Sequence, residues 1–217
     1  MPRHCPICGD FRRDQEASGL CRAYGKEALD AARFYERDGI VLFCPVAPLV
    51  PGYLMLAYAE HNDRVMLYRP ASAFVRLLAD VLAALESRFG AAWCFEHAGA
   101  APNGPSCVPH GHVHALPGAP PVALFESASR IAPMEAREPA DVYVRTRAGG
   151  VGLLLERRNH QHVRRVIGAV EGIEWDWRLH RHETIYRATT AVLDSVISDL
   201  AGAPGGPDSA FPETARC

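Results

Sequence analysis

Between positions 33 and 61 the apolar residues fall in short runs, each bounded by turn-forming residues. Runs of that length, rich in β-branched and aromatic side chains, predict strands rather than helices. Arg33-Phe34-Tyr35-Glu36-Arg37 reads as a strand, Asp38-Gly39 as a hairpin turn, and Ile40-Val41-Leu42-Phe43-Cys44 as a buried strand. Pro45, Pro48 and Pro51 impose an irregular connection to Gly52. Tyr53 to Tyr58 then resumes as a strand that runs into Glu60 and His61. Strands this closely spaced predict an antiparallel meander. The segment before them, to Asp30, is polar and mixed, and reads as loop and short helix.

From Ser72 the period changes. Phe74, Val75, Leu77, Leu78, Val81, Leu82 and Leu85 make a broad stripe at helical spacing, with Ser72 as its N-cap and Gly90 as its stop. Ala92 to His97 is again a strand, and the small, turn-forming stretch Gly99–Pro105 delivers Ser106 and a strand from Cys107 to Pro117. After the Gly118–Pro121 link, Val142–Arg145 and Val151–Leu155 flank Gly149-Gly150 as a hairpin. A helix over Gln161–Val170 ends near Gly172, and a second runs from Glu183 to Leu200. The Pro/Gly-rich tail from Ala201 lacks the apolar residues to pack and is expected to be disordered. The chain therefore divides into residues 1–120, an extension over 121–200 and a tail over 201–217.

Composition narrows the function classes. At 217 residues, 48% of them hydrophobic, the chain can bury a substantial core. A formal net charge of -2 supplies no long-range field toward nucleic acid or an anionic membrane. There is no run of about 18 apolar residues to span a bilayer, and Met1-Pro2-Arg3-His4-Cys5-Pro6 does not open a signal peptide. The seven cysteines are scattered and odd in number, which argues against a disulfide framework. The expectation is a reduced, cytoplasmic protein.

Candidate chemistry concentrates in two places. In Cys107-Val108-Pro109-His110-Gly111-His112-Val113-His114 three histidines recur at every second position, so on a strand they project from one face. Such a face suits a metal, a nucleophile or a proton shuttle; the alternative is a histidine-rich surface strand. Cys5-Pro6-Ile7-Cys8-Gly9 is a tight knuckle that can place two thiolates on one zinc ion, but it is only half of a four-ligand site. Cys21 reads as a free thiol. His160 and His162, two apart on a helix, do not share a face, and with His180 and His182 they are expected on the surface; Trp175 and Trp177 are expected to pack.

Taken in order, Cys5-x-x-Cys8, Pro51-Gly52 with a strand running to His61, Phe95-Glu96-His97, and His110-x-His112-x-His114 resemble the histidine-triad (HIT) superfamily. The likeness is to its zinc-containing branch, which includes galactose-1-phosphate uridylyltransferase and dinucleoside-polyphosphate hydrolase-like proteins. It covers residues 1–120, with a weaker likeness through the hairpin and Trp175-Asp176-Trp177-Arg178. The resemblance implies an α+β fold: a HIT-like antiparallel half-barrel sheet with packed helices and a C-terminal hairpin-plus-helices extension. It implies a structural zinc on Cys5, Cys8, His61 and His110. It assigns His112 as the nucleophile that forms a nucleotidyl intermediate, and His114 as a donor to a phosphate or bridging oxygen. Ser106 and Cys107 fall where the family has glutamine and a small hydroxyl residue beside the leaving group.

The chain also departs from that pattern. Tyr53 follows the Pro-Gly turn where a histidine is usual, and Pro45 stands where relatives carry an acidic or amide side chain for the ribose hydroxyls. The expected function is a nucleotide phosphoanhydride hydrolase or nucleotidyltransferase with a nucleotide or nucleotide-conjugate substrate and, as in relatives, a homodimeric state. A catalytically altered nucleotide-binding or accessory protein is the alternative, and hydrolysis at an open zinc site, which requires His61 not to bind, is a third.

Overall fold

The protein is described by a computed structural model over residues 5–62, 67, 72–97, 108, 110–136, 138–156, 161–173 and 182–202. Local chemistry explains the opening segment. Pro6, with no N–H to leave unsatisfied, begins helix α1 (Pro6–Phe11), and the Cys8 N–H donates to the Cys5 thiol at its N-cap. Ser18 caps α2 (Gly19–Tyr24), accepting the Cys21 N–H at 2.8 Å, and α3 (Lys26–Asp30) follows Gly25. The mixed polar stretch is thus three short helices.

Strands β1 (Phe34–Arg37) and β2 (Ile40–Phe43) turn through Asp38-Gly39, whose φ values of 56° and 72° fit a two-residue hairpin of matching twist. β3 (Leu54–Tyr58) completes the meander. Gly52, with φ of 84°, places its backbone so close to Phe89 that a Cβ would lie 3.0 Å from that ring. Helix α4 (Ser72–Phe89) leads to β4 (Ala92–His97) and β5 (His112–Pro117). Then come α5 (Val122–Glu126), β6 (Ala128–Pro133), β7 (Val142–Thr146), β8 (Gly149–Leu155), α6 (His162–Val170) and α7 (Glu183–Gly202).

All eight strands form one open antiparallel sheet in the order β1-β2-β3-β5-β4-β7-β8-β6. Two features of this order matter. β5 inserts between β3 and β4, so the histidine strand lies inside the sheet rather than at an edge. β7 pairs with β4, so the strands after residue 121 continue the sheet begun before it. No period in the sequence marks β6: Ala-Ser-Arg-Ile-Ala-Pro has no period-2 pattern because it is an edge strand, with Ile131 49% exposed.

The two faces of the sheet have separate tasks. On one, Leu42, Leu54, Leu56, Cys94, Val113 and Ala115 pack under the α4 stripe of Leu77, Leu78, Val81 and Leu85 and under Leu193, Val196 and Leu200 of α7. Each buried leucine or valine there contributes about 1.5–3 kcal/mol by leaving water, which makes this face the rigid base of the molecule. On the other face the register aligns Phe43, Met55, His114, Phe95 and Val144 in a row across adjacent strands. Val41, Ala57 and His112 form the next row. A one-residue slip of β5 would turn both histidines into the α4 core, so the hydrophobic pattern of Val113 and Ala115 fixes where they point. Among the described residues, no helix is long and apolar enough to cross a membrane. The expected disordered tail falls, from position 203, outside the described residues.

Candidate functional site

The first turn of α1 brings Cys5 and Cys8 to one side of the helix. Gly9 lets that turn press against the chain at Ala17, where a Cβ would sit 2.5 Å from the Ala17 carbonyl carbon. The antiparallel pairing of β3 and β5, tied beyond their ends by the Gly111 N–H to the Asn62 carbonyl at 2.6 Å, carries His61 and His110 to the same spot. The ligand atoms of Cys5, Cys8, His61 and His110 all lie within 4.8 Å of one another. Cys5 Sγ is 3.5 Å from His110 Nδ1, and Cys8 Sγ is 3.4 Å from both His110 Nδ1 and His61 Nδ1. A tetrahedral ion with metal–sulfur and metal–nitrogen bonds of about 2.3 and 2.0 Å has sulfur–nitrogen edges of about 3.5 Å. The four side chains fit a metal ion such as zinc.

The surroundings orient them. His110 Nε2–H donates to the Tyr58 carbonyl at 2.9 Å, which leaves the Nδ1 lone pair toward the sulfurs. The Cys8 thiol, its N–H and His110 hold the Cys5 thiol far below its ordinary range, at about 3, against the opposing effect of burial. Phe11, Phe34, Val41 and Met55 shield the cluster with apolar surface.

His112 and His114 point past the cluster onto the face of the sheet opposite α4, both buried. His112 Nδ1–H donates to the His110 carbonyl at 2.6 Å; a carbonyl only accepts, so the ring's lone pair is on Nε2. Burial is the main cause that lowers His112 to about 4, helped by His110 and Arg164 and opposed by the bond to the carbonyl. His114 stacks on Phe95 at 4.4 Å and meets the Tyr53 hydroxyl through Nδ1 at 2.9 Å. Burial, then the charges of His112 and Arg164, lower it well below the usual histidine value. The two rings meet edge to face, 4.8 Å apart. Both are neutral bases at neutral pH.

They line a cavity of about 100 Å³. Ile7, Phe43, Val46, Met55 and Val108 give it an apolar wall, and Pro45 lies in that wall. Its charged members are Asp10, Arg22 and Arg164. Asp10 accepts the Ser18 hydroxyl at 2.6 Å and the Leu20 N–H at 3.0 Å, while burial pushes its carboxyl up to about 6.

The structure thus brings Cys5, Cys8, His61 and His110 into one cluster and His112 and His114 into the adjoining pocket. Ser106 and Cys107 lie outside the described residues, as do His160, His180, Trp175 and Trp177. His162, expected on the surface, is instead buried, with Nε2 2.8 Å from the Ser127 hydroxyl, because the first turn of α6 faces α5. The sequence pattern does not mark Asp10, Arg22 or Arg164 as site residues. Their signal was weak, since a charged residue one place from an apolar helical position ordinarily faces water. No family model matches the chain, and no curated protein matches it.

Proposed function

We propose that the chain is a nucleotidyl hydrolase or nucleotidyltransferase of histidine-triad type, acting through a covalent nucleotidyl-His112 intermediate. The observation that carries this reading is the bond from His112 Nδ1–H to the His110 carbonyl, which leaves Nε2 as an unprotonated nitrogen on a ring that lines the pocket. Nε2 attacks the α-phosphorus, forming a P–N bond while the P–O bond to the leaving group breaks. With the Tyr53 hydroxyl donating to His114 Nδ1, the His114 proton is on Nε2, where it can bond to the departing oxygen. Water or a second acceptor then attacks phosphorus and restores His112, so that one difficult displacement becomes two easier ones.

Zinc at Cys5, Cys8, His61 and His110, when bound, supplies a closed structural cross-link with no position for substrate. The cysteine knuckle would fasten α1 to the ends of β3 and β5, and through the His110 carbonyl it would fix the ring of His112. The antiparallel sheet with α4 on one face supports a half-barrel scaffold of the HIT kind.

One observation favours a second reading, nucleotide binding without turnover. Pro45 lies in the pocket wall and has no side-chain acceptor for a ribose hydroxyl. Incubation with dinucleoside polyphosphates and nucleotide sugars separates the two. Turnover that His112→Asn lowers by at least about 1,000-fold, at unchanged metal content, supports the enzyme. Tight binding with no product in any case supports the sensor.

A further inference from the structure

Arginine is seldom buried unless its donors are used, yet Arg164 is only 5% exposed. Its helix is committed to the functional face: Val163 and Ile167 of α6 pack with Tyr53, Trp93 and Phe95. From that position the Arg164 side chain crosses to the connection between β2 and β3. There its Nη2 donates to the Ala47 carbonyl and, at 3.2 Å, to that of Val46. Ala47 is a buried, non-glycine residue at φ of 53°, a conformation that must be held by its surroundings, and the guanidinium is part of what holds it. The guanidinium also lies over the Tyr53 ring, 5.3 Å from its centre, and the same Tyr53 reaches His114 with its hydroxyl. Arg164 is therefore a fixed cation that shares one cavity with His112 and His114.

Phosphoryl-type transfer is governed by positioning and by charge stabilisation on the equatorial oxygens. A guanidinium already held in place costs little to organise and offers a fixed positive charge to a phosphate. We propose that Arg164 binds the anionic phosphate of the group transferred to His112, so that the 121–200 segment completes the site and the pocket selects phosphorylated ligands over neutral ones. The proposal rests on the nucleotidyl reading above, and it places a catalytic residue beyond residues 1–120, which carry the cysteine and histidine motifs.

The test is equilibrium binding of AMP, GMP, UMP and CMP and of the four matching nucleosides to the full chain. It compares the wild type with Arg164→Gln and Arg164→Lys, checking metal content and melting temperature for each. The wild type should prefer at least one monophosphate over its nucleoside. Arg164→Gln should reduce that preference roughly 10- to 100-fold with nucleoside affinity unchanged. Arg164→Lys, which keeps the positive charge, should retain part of it. A preference intact in Arg164→Gln, or absent from the wild type, overturns the proposal. Should Arg164→Gln fail to fold, the ¹⁵N-resolved Nε–H signal of Arg164 in the wild type decides: a shift caused by the monophosphate and not by the nucleoside upholds it, and an unmoved signal overturns it. Labelling of His112 is read separately. Loss of preference without a His112 adduct would keep Arg164 and reject the covalent intermediate, and the opposite pair of results would do the reverse.

Discussion

The carbonyl of His110 lies 2.6 Å from Nδ1 of His112, and the ring of His110 belongs to the Cys5–Cys8–His61 cluster. The backbone of one residue therefore sets the tautomer of the base while its side chain belongs to the proposed metal centre. Withdrawing the metal should loosen both.

Chelation, or Cys8→Ser, is expected to lower the melting temperature by roughly 10 °C or more, since structural metal binding is part of the folding free energy. Turnover should fall with metal content. Gly9→Ala should act in the same direction, because its Cβ would collide with the Ala17 backbone. Thermal melts beside metal analysis check this; an unchanged melt after complete chelation would remove the metal from the account.

Tyr53→Phe deletes one hydroxyl and leaves His114 Nδ1 without that partner in a buried setting. The cost is about 1–3 kcal/mol of orientation, hence a decrease in kcat of roughly 10-fold or more with metal content unchanged. Steady-state kinetics with metal analysis measure it, and a wild-type kcat would show that the Tyr53 contact does not support the chemistry.

The pH dependence follows from His114, whose folded pKa lies well below the 6.5 of an exposed histidine. Between the two values the unfolded chain holds a proton that the folded chain does not. Stability is then fully present above about pH 6.5 and is lost as pH falls, at up to about 1.4 kcal/mol per unit for this group. Denaturant titrations from pH 7 to 5 should show a shallower slope in His114→Gln than in the wild type. Equal slopes would assign the acid sensitivity elsewhere.

Burial pushes the Cys94 thiol up to about 12 and raises Cys44 further, so neither forms a reactive thiolate in the folded state. Brief alkylation of the native protein should label the half-buried Cys21 and spare both. Cys5 and Cys8 should become reactive only after chelation. Peptide mapping by mass spectrometry reads all five positions.

Much of this arrangement is written in short-range patterns. The Asp38-Gly39 turn, the α4 stripe and the run Ala92–His97 each carry one unambiguous period, and each forms where its pattern places it. The spacing of Cys5 and Cys8 and the alternation around His110 mark side chains that could hold a metal ion, and the sheet brings them together with His61. Other features depend on tertiary context that no local period records. β6 is an exposed edge strand whose pairing with β8 decides its conformation. His162 and Arg164 sit in the first turn of α6 and look solvent-facing until that helix is laid on the sheet. The cavity itself is built from α1, α2, β2, β3, β5 and α6, which no single stretch of the chain contains.

The proposed mechanism requires Nε2 of His112 to become covalently nucleotidylated. Intact-protein mass spectrometry after rapid quenching with dinucleoside polyphosphates or nucleotide sugars, under conditions that preserve acid-labile P–N bonds, tests it most directly. A mass increase of one nucleotidyl group, mapped to His112 and missing in His112→Asn, is the expected result. Turnover with no adduct at His112 under any substrate, or an adduct that persists in His112→Asn, would contradict it.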